Sequence, residues 1–600
     1  MTRLHLFVFL HRQSRRTMTV GSKIASLVFS SLLLVCEVTG MPQTVLSAEP
    51  QPVLENAQQL DSIPAGTVLT IPPREGNSES NPQLVSSGSL VICGGGILPA
   101  KLIERFIELG GGAAARVVIV SSASIYADHD IDARLSGWKD RLAEHVFASL
   151  DVLHTRSREQ ADSPEFSKIL DTATAVWFLG GNQNWLAQTY LGTKTEERLH
   201  NVLSRGGVIG GTSAGAAIMS RCMIADGTTE PMLSTGFGFL PGTIVDQHFR
   251  KRKRLERLMR ALQIRPGLVG IGIDEGTALV VQGRHMEVIG ESDASVCLAA
   301  SSQRPARVES IAAGQQGDLV TLRRAATARA ETELAADNSH VPDVQNGTLV
   351  IVGGGPTPPE AVDTFLTAAG GTEASIVVVS NALGETPPEQ TSVCGWLNAA
   401  GAKNVKMLHA TSSDDLSSPN LVTLLKEARG VWFTGGRQWR LVDAYLDTNV
   451  EELFHDVLRR GGVIGGTSAG ATIQGEYLVR GNPLGNEEVL TEGYDRGFGF
   501  LPGVAIDQHF TQRERLDDMT QLKKAHPEMI GLGVDESTAL IIRGSTMQVV
   551  GQHHVTVFDK PTNGPSETPD FAVLKSGERY DFRQHRRMET AATEVVVPAK

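Results

Sequence analysis

Between residues 90 and 560 the chain spells out one order of motifs twice. LVICGGGILP from Leu90 returns as LVIVGGGPTP from Leu349, and VVIVSSAS from Val117 as IVVVSNAL from Ile376. VWFLGGNQNW from Val176 returns as VWFTGGRQWR from Val431, and GGVIGGTSAGAAI from Gly206 as GGVIGGTSAGATI from Gly461. GFGFLPGTIVDQHF from Gly236 matches GFGFLPGVAIDQHF from Gly497, and GIGIDEGTAL from Gly270 matches GLGVDESTAL from Gly531. A unit of this size is a whole domain rather than a solenoid module. Ser213 and Ser468 are 255 positions apart, whereas His248 and His509 are 261 apart, so copy two carries six extra residues between those groups.

At 600 residues the chain is too long for one hydrophobic core, as the duplication requires. The expected organisation is a leader over residues 1–48, a polar Pro-rich lead-in over 49–87, and a first domain over 88–322. An Ala-, charge- and Asn-rich linker over 323–346, a second domain over 347–561 and a polar, irregular tail over 562–600 follow. Within each copy, short β-branched runs such as Leu90–Cys93, Val117–Ser121, Val176–Leu179 and Val208–Ile209 are bounded by glycines. They read as buried parallel strands, with crossover helices such as Pro99–Leu109 between them. The expected fold class is therefore α/β, with two tandem doubly wound, mostly parallel sheets flanked by helices. Sites in such sheets lie at the carboxyl ends of strands.

A net charge of −12 and an aromatic content of 5% give no pull toward nucleic acid. The five cysteines, Cys36, Cys93, Cys222, Cys297 and Cys394, form no C-x-x-C pair, so no zinc or redox motif is indicated; Cys36 lies in the leader, and the other four thiols read as small buried hydrophobes. Arg15, Arg16 and Lys23 precede the apolar run Ile24–Val38, with Ser47-Ala48 as a cleavage point. This is the pattern of a signal peptide, and it predicts an exported protein with no stable membrane insertion once the leader is removed. The alternative reading is an uncleaved N-terminal anchor.

The most specific chemical signal is Gly211-Thr212-Ser213-Ala214-Gly215, repeated as Gly466-Thr467-Ser468-Ala469-Gly470. It is G-x-S-x-G between a strand and a helix, a sharp turn that exposes a serine above the sheet. The N–H of Ala214 or Ala469, next along the chain, is positioned to donate to a developing oxyanion. A serine hydroxyl needs a base, and His248 and His509, each in D-Q-H-F, are the candidates. The base needs an orienting carboxylate. Between serine and histidine stand Asp226 and Glu230 in copy one, and Glu476, Glu487, Glu488, Glu492 and Asp495 in copy two. Asp246, Asp507 and the pairs Asp274-Glu275 and Asp535-Glu536 are further candidates, and the residues alone leave the choice open.

With GTSAGA, DQHF followed by spaced arginines, and GIDE-x-TA in both halves, the chain resembles the cyanophycinases, serine peptidases related to dipeptidase E. The resemblance spans roughly residues 88–300 and 347–560. It implies a flavodoxin-like, class I glutamine amidotransferase-like fold, no metal and no cofactor, and hydrolysis of the β-aspartyl-arginine polymer to dipeptides through an acyl-enzyme. It makes Ser213 and His248, with Ser468 and His509, the nucleophiles and bases. It places the acidic member between them, which best fits Glu230 in copy one and Glu487 or Glu488 in copy two. It assigns Gln183 and Gln438 to the substrate pocket, and Gly95, Gly96, Gly354 and Gly355 to the Gly-rich loop near the oxyanion. It also assigns substrate contacts to Asp246, Gln247, Asp507 and Gln508 of the DQHF motifs. Arg252, Arg254 and Arg257, with Arg513 and Arg515, would grip the free α-carboxylate of a β-linked aspartate, for which guanidinium suits. Asp518 replaces the third arginine in copy two. Asn182 and Arg437 replace the aspartate of the family's GGDQ, and Arg437 should repel an arginyl side chain. An exported aspartyl or isoaspartyl dipeptidase and a non-catalytic carboxylate-binding protein are the alternatives, and the two domains are candidates for an intramolecular pseudo-dimer.

Overall fold

A computed structural model describes residues 87–129, 142, 145–331, 341–410, 412–559 and 571–588. All fall in the compact unit running from Val68 to Lys600. The leader and lead-in lie outside the described residues. Among the described residues, no helix is long and apolar enough to cross a membrane.

In copy one, β1 (Ser89–Cys93), β2 (Arg116–Val120), β3 (Ser149–Leu153), β4 (Ala175–Phe178) and β5 (Val208–Thr212) lie parallel in the order β3-β2-β4-β5-β1. In copy two, β6 (Val344–Val352), β7 (Ser375–Val379), β8 (Asn404–Leu408), β9 (Gly430–Phe433) and β10 (Val463–Thr467) repeat it as β8-β7-β9-β10-β6. The two domains are thus the expected tandem flavodoxin-like α/β folds. Antiparallel strands extend the sheet past β1, beginning with Thr277–Gln282, and past β6, beginning with Thr538–Gly544. A second sheet in each copy contains Thr243–Gln247 beside Val269–Ile273, or Leu501–Gln508 beside Ile530–Val534.

The central strands are near-continuous apolar runs because helices cover both of their faces. Trp177 of β4 is fully buried, with its ring edge-on to Phe106 of helix Ala100–Leu109 at 5.0 Å. That indole fills the space a side chain on β5 would need, since a Cβ at Gly210 would lie 2.2 Å from its ring. Trp432, Phe365 and Gly465 repeat the arrangement in copy two. The glycines of GGVIGG therefore serve packing as well as the turn that follows.

Two expectations about segments differ from the structure. The expected linker at 323–346 starts inside helix Leu319–Ala330 and ends inside β6. Its alanines and arginines are good helix formers, and the arginines find carboxylates in copy two. Arg324 meets Asp443 at 3.1 Å, and Arg329 meets Glu492 at 2.5 Å with its side chain 4% exposed. Arg304 and Arg307 reach the same Glu492, and Arg284 bonds Asp443 and Tyr494. Leu322 and Ala325 sit in the core of copy one and Val320 in that of copy two. The tail expected to be irregular contains Ala572–Lys575, Arg579–Asp581 and Arg586–Met588, which add strands to the sheets of copy two.

Candidate active site

Both serines end a central strand and begin a four-residue helix, Ala214–Ala217 or Ala469–Thr472. Their backbones take φ 54° and ψ −110° at Ser213, and φ 53° and ψ −113° at Ser468. Left-handed backbone at a residue bearing a Cβ costs about 1–3 kcal/mol and persists only where packing enforces it. Here the flanking glycines leave no room to relax: a Cβ at Gly215 would lie 2.4 Å from Phe178 O. The strain aims the hydroxyl away from the core. The Ala214 and Ala469 N–H groups stand at the first helical position, where no intrahelical acceptor exists.

The bases arrive from the second sheet. Each histidine follows its last strand residue, Gln247 or Gln508, at φ 51° for His248 and 50° for His509. His248 N–H donates to Gly94 O at 2.8 Å and His509 N–H to Gly353 O at 2.8 Å, which pins each histidine loop beneath a Gly-rich loop. Gly95 has φ 123°, and a Cβ there would lie 2.2 Å from His248 Cε1; Gly354 stands likewise over His509. This position needs glycine for conformation and for space.

The result is one hydrogen-bonded chain in each copy. Ser213 Oγ lies 2.9 Å from His248 Nε2, and His248 Nδ1 lies 2.8 Å from Glu275 Oε1. Ser468 Oγ lies 2.9 Å from His509 Nε2, and His509 Nδ1 lies 2.6 Å from Glu536 Oε1. Burial holds the His248 imidazole below its ordinary pKa; the Glu275 hydrogen bond opposes that shift and Arg252 and Arg254 add to it. His509 is lowered in the same way, with Glu536 opposing and Arg513 and Arg515 adding. Each imidazole is thus kept neutral near pH 7, the form a general base requires.

The acidic members differ from those the resemblance implied. Glu230 is exposed on the turn between Cys222–Asp226 and Met232–Thr235 and pairs with Arg260. Glu487 is exposed, and Glu488 accepts from Asn482 and Thr491 in the same loop. None is bonded to a histidine. The turn after Val269–Ile273 delivers Glu275 instead, because that strand runs parallel beside the one ending at the histidine. Glu536 follows Ile530–Val534 in the same way.

The arginines divide into two sets. Arg252 and Arg513 are exposed beside the bases and, among the described residues, make no ion pair. The others are internal. Asp246 is fully buried beneath His248 and is held by Arg257 and by Arg254 at 3.3 Å. Burial pushes its carboxyl up, and the two guanidinium groups oppose the shift. Arg257 also donates to Gly227 O and is 4% exposed, so it and Asp246 support the base rather than meet solvent-borne substrate. In copy two Asp507 is held by Arg515 at 2.6 Å and by Arg480 at 3.1 Å, and Arg480 also pairs with Asp518 at 2.7 Å. Arg480 stands where copy one has Ala225, and Asp518 where it has Arg257. The lost guanidinium thus returns from a neighbouring segment, with a carboxylate to match it.

Gln183 Nε2 donates to Ile224 O at 3.1 Å and Ala225 O at 2.7 Å, and Gln438 Nε2 to Val479 O at 2.9 Å and Arg480 O at 2.7 Å. These amides brace the segment downstream of the serine helix. Gln247 and Gln508 are buried, each with Oε1 lacking a partner among the described residues. Cys93 and Cys297 are buried, and burial raises their thiol pKa values to about 11 and about 12. Among the described residues no group of three His, Cys, Asp or Glu side chains is arranged to hold a metal ion.

A strained serine, a neutral imidazole and a carboxylate in line, twice over on one α/β scaffold, define a serine hydrolase. The family model for Peptidase family S51 matches residues 90–289 and 349–550. The chain belongs to that family and is a serine peptidase. Among similar curated proteins are cyanophycinases from Geminocystis herdmanii, 35% identical over 33% of this chain and 74% of its own length, and from Nostoc sp., 30% identical over 38% and 77%. Similar solved structures include a peptidase from an acI-B1 Actinobacterium, 26% identical with a TM-score of 0.31 over 39% of this chain and 97% of that one. Another is a putative peptidase E protein from Listeria monocytogenes, 16% identical with a TM-score of 0.27 over 34% and 98%.

Proposed function

We propose that the chain hydrolyses β-aspartyl peptide bonds, with cyanophycin-type β-Asp-Arg polymer as the substrate of copy one. The observation that carries this is the exposed Arg252, without an ion pair among the described residues, next to a complete Ser213–His248–Glu275 chain. A β-linked aspartate presents a free α-carboxylate close to the scissile carbonyl, and a guanidinium beside the base is placed to hold it. The similarity to proteins named cyanophycinase supports the same substrate class.

In this mechanism Ser213 Oγ attacks the carbonyl carbon while His248 Nε2 takes its proton. Glu275 stabilises the imidazolium that forms. The tetrahedral oxyanion is held by the Ala214 N–H and by the Gly95-Gly96 loop. His248 then protonates the leaving amine, and water deacylates the serine by the reverse sequence. Copy two repeats the scheme with Ser468, His509 and Glu536. The apolar run Ile24–Val38 supports an exported enzyme, which N-terminal sequencing of the secreted product would test.

The function is tested by incubating the full chain, Ser213→Ala and Ser468→Ala with β-Asp-Arg polymer and identifying products by mass spectrometry. Release of β-Asp-Arg dipeptide that falls at least a hundredfold in Ser213→Ala is expected. Undiminished release in Ser213→Ala and Ser468→Ala combined would refute the assignment.

A further inference from the structure

The two copies differ in charge at the start of the helix that follows β4 or β9. Copy one has Asn182 and Trp185 there; copy two has Arg437 and Arg440. The Asn182 side chain accepts the Asn184 N–H at 2.9 Å, an ordinary helix cap. Trp185 is covered by Arg156 at 4.5 Å, and that guanidinium is matched by Asp128 at 2.9 Å. The guanidinium that covers Trp185 is thus neutralised by a carboxylate.

Copy two has no such balance. Arg437 Nη2 donates only to neutral carbonyls, Asn482 O at 2.7 Å and Gly485 O at 3.1 Å. Among the described residues, Arg440 makes no side-chain hydrogen bond and no ion pair, and its guanidinium rests over the Trp439 ring at 4.8 Å. The Nε atoms of both arginines and Nε1 of Trp439 are enclosed without an acceptor. Burial and the neighbouring Arg440 charge hold Arg437 below its ordinary pKa, and among the described residues no carboxylate pairs with either guanidinium.

This corner adjoins the chemistry. Gly435 is two residues before Arg437, and a Cβ on it would lie 3.4 Å from Ser468 Cβ. Strands β9 and β10, which carry the two segments, are hydrogen-bonded neighbours. Arg513, exposed beside His509, is a further cation next to the base.

We infer that copy two is an anion-selective site, taking β-aspartyl peptides whose second residue carries a carboxylate where the copy-one substrate carries arginine. The chain then holds two hydrolytic sites of opposite charge preference. An acidic side chain supplies the anion that Arg437 and Arg440 lack, and a guanidinium side chain adds a third cation to two that already repel. The inference rests on the β-aspartyl reading above.

Binding is measured by calorimetry on the full-length Ser213→Ala/Ser468→Ala protein, with β-Asp-Glu and β-Asp-Arg dipeptides as probes. Arg440→Trp is the cleaner substitution because no hydrogen bond is lost with it; Arg437→Asn is the companion. Each should weaken β-Asp-Glu binding about tenfold, the scale of one charge-assisted hydrogen bond, and leave β-Asp-Arg binding at copy one unchanged. Binding of β-Asp-Arg without any binding of β-Asp-Glu would overturn this inference alone. Binding of β-Asp-Glu that is indifferent to both substitutions would also overturn it. Failure of both dipeptides to bind would instead bring down the β-aspartyl reading and this inference with it.

Discussion

Replacing Glu275 by glutamine in a Ser468→Ala background isolates the orienting carboxylate of copy one. The amide keeps the shape and an acceptor oxygen within reach of His248 Nδ1, now 2.8 Å from the carboxylate, and removes only the charge. That charge matters when serine transfers its proton and the imidazole becomes cationic. Two unit charges roughly 4 Å apart attract by about 4 kcal/mol at an effective dielectric of 20. The Glu275 side chain is 33% exposed, so solvent screens part of this and about 2 kcal/mol is the appropriate figure. Glu275→Gln should therefore lower kcat about thirtyfold with little change in KM. Glu230→Gln, whose carboxylate faces Arg260 on the surface, should stay within about twofold. The assay is initial-rate release of dipeptide, with circular dichroism to confirm folding. A fall for Glu230→Gln with none for Glu275→Gln would refute the triad drawn here.

Because burial lowers the pKa of His248, its neutral form persists into mild acid. The acid limb of kcat/KM for the Ser468→Ala protein should then have its midpoint below the ordinary imidazole value of 6.5. Arg252→Ala removes a cation that lowers this pKa, so the limb should move to higher pH; a profile that stays put or moves down would contradict the assigned base. Gly95→Ala forces a Cβ into the imidazole at a φ of 123° that disfavours one, so it should cost at least a hundredfold in copy-one turnover and lower the melting temperature as well. Arg480→Met leaves the buried Asp507 with one guanidinium, which should cost about 3 kcal/mol in the urea unfolding of copy two. Adding Asp518→Arg restores the copy-one arrangement and should recover part of that loss.

The duplication, the parallel strands and the serine turn were legible because each leaves a local pattern: runs of valine and isoleucine, glycines in fixed places, and a motif written twice. The histidine was legible because it recurs with its neighbours. The carboxylate was harder, since the family resemblance directed attention between serine and histidine. Spacing held the better signal. His248 to Glu275 and His509 to Glu536 are both 27 residues, whereas Glu230 has no carboxylate counterpart at either repeat offset. The buried roles of Arg257 and Arg515 were not legible, because an arginine's partner across a sheet leaves no local trace. The same holds for the helix Leu319–Ala330. Its composition suits a solvated linker equally well, and it becomes part of the core through the carboxylates Asp443 and Glu492, more than 100 residues away, and through the apolar clusters that take Val320, Leu322 and Ala325.

The central physical assertion is that two hydroxyls, one per half, are activated by neighbouring imidazoles. Treating the native protein with a fluorophosphonate and mapping adducts by peptide mass spectrometry tests it directly. The expected result is covalent modification of Ser213 and Ser468 and of no other serine, each abolished by His248→Ala or His509→Ala in the same half. Absence of adduct at both serines in the folded protein, or adducts that survive loss of both histidines, would contradict it.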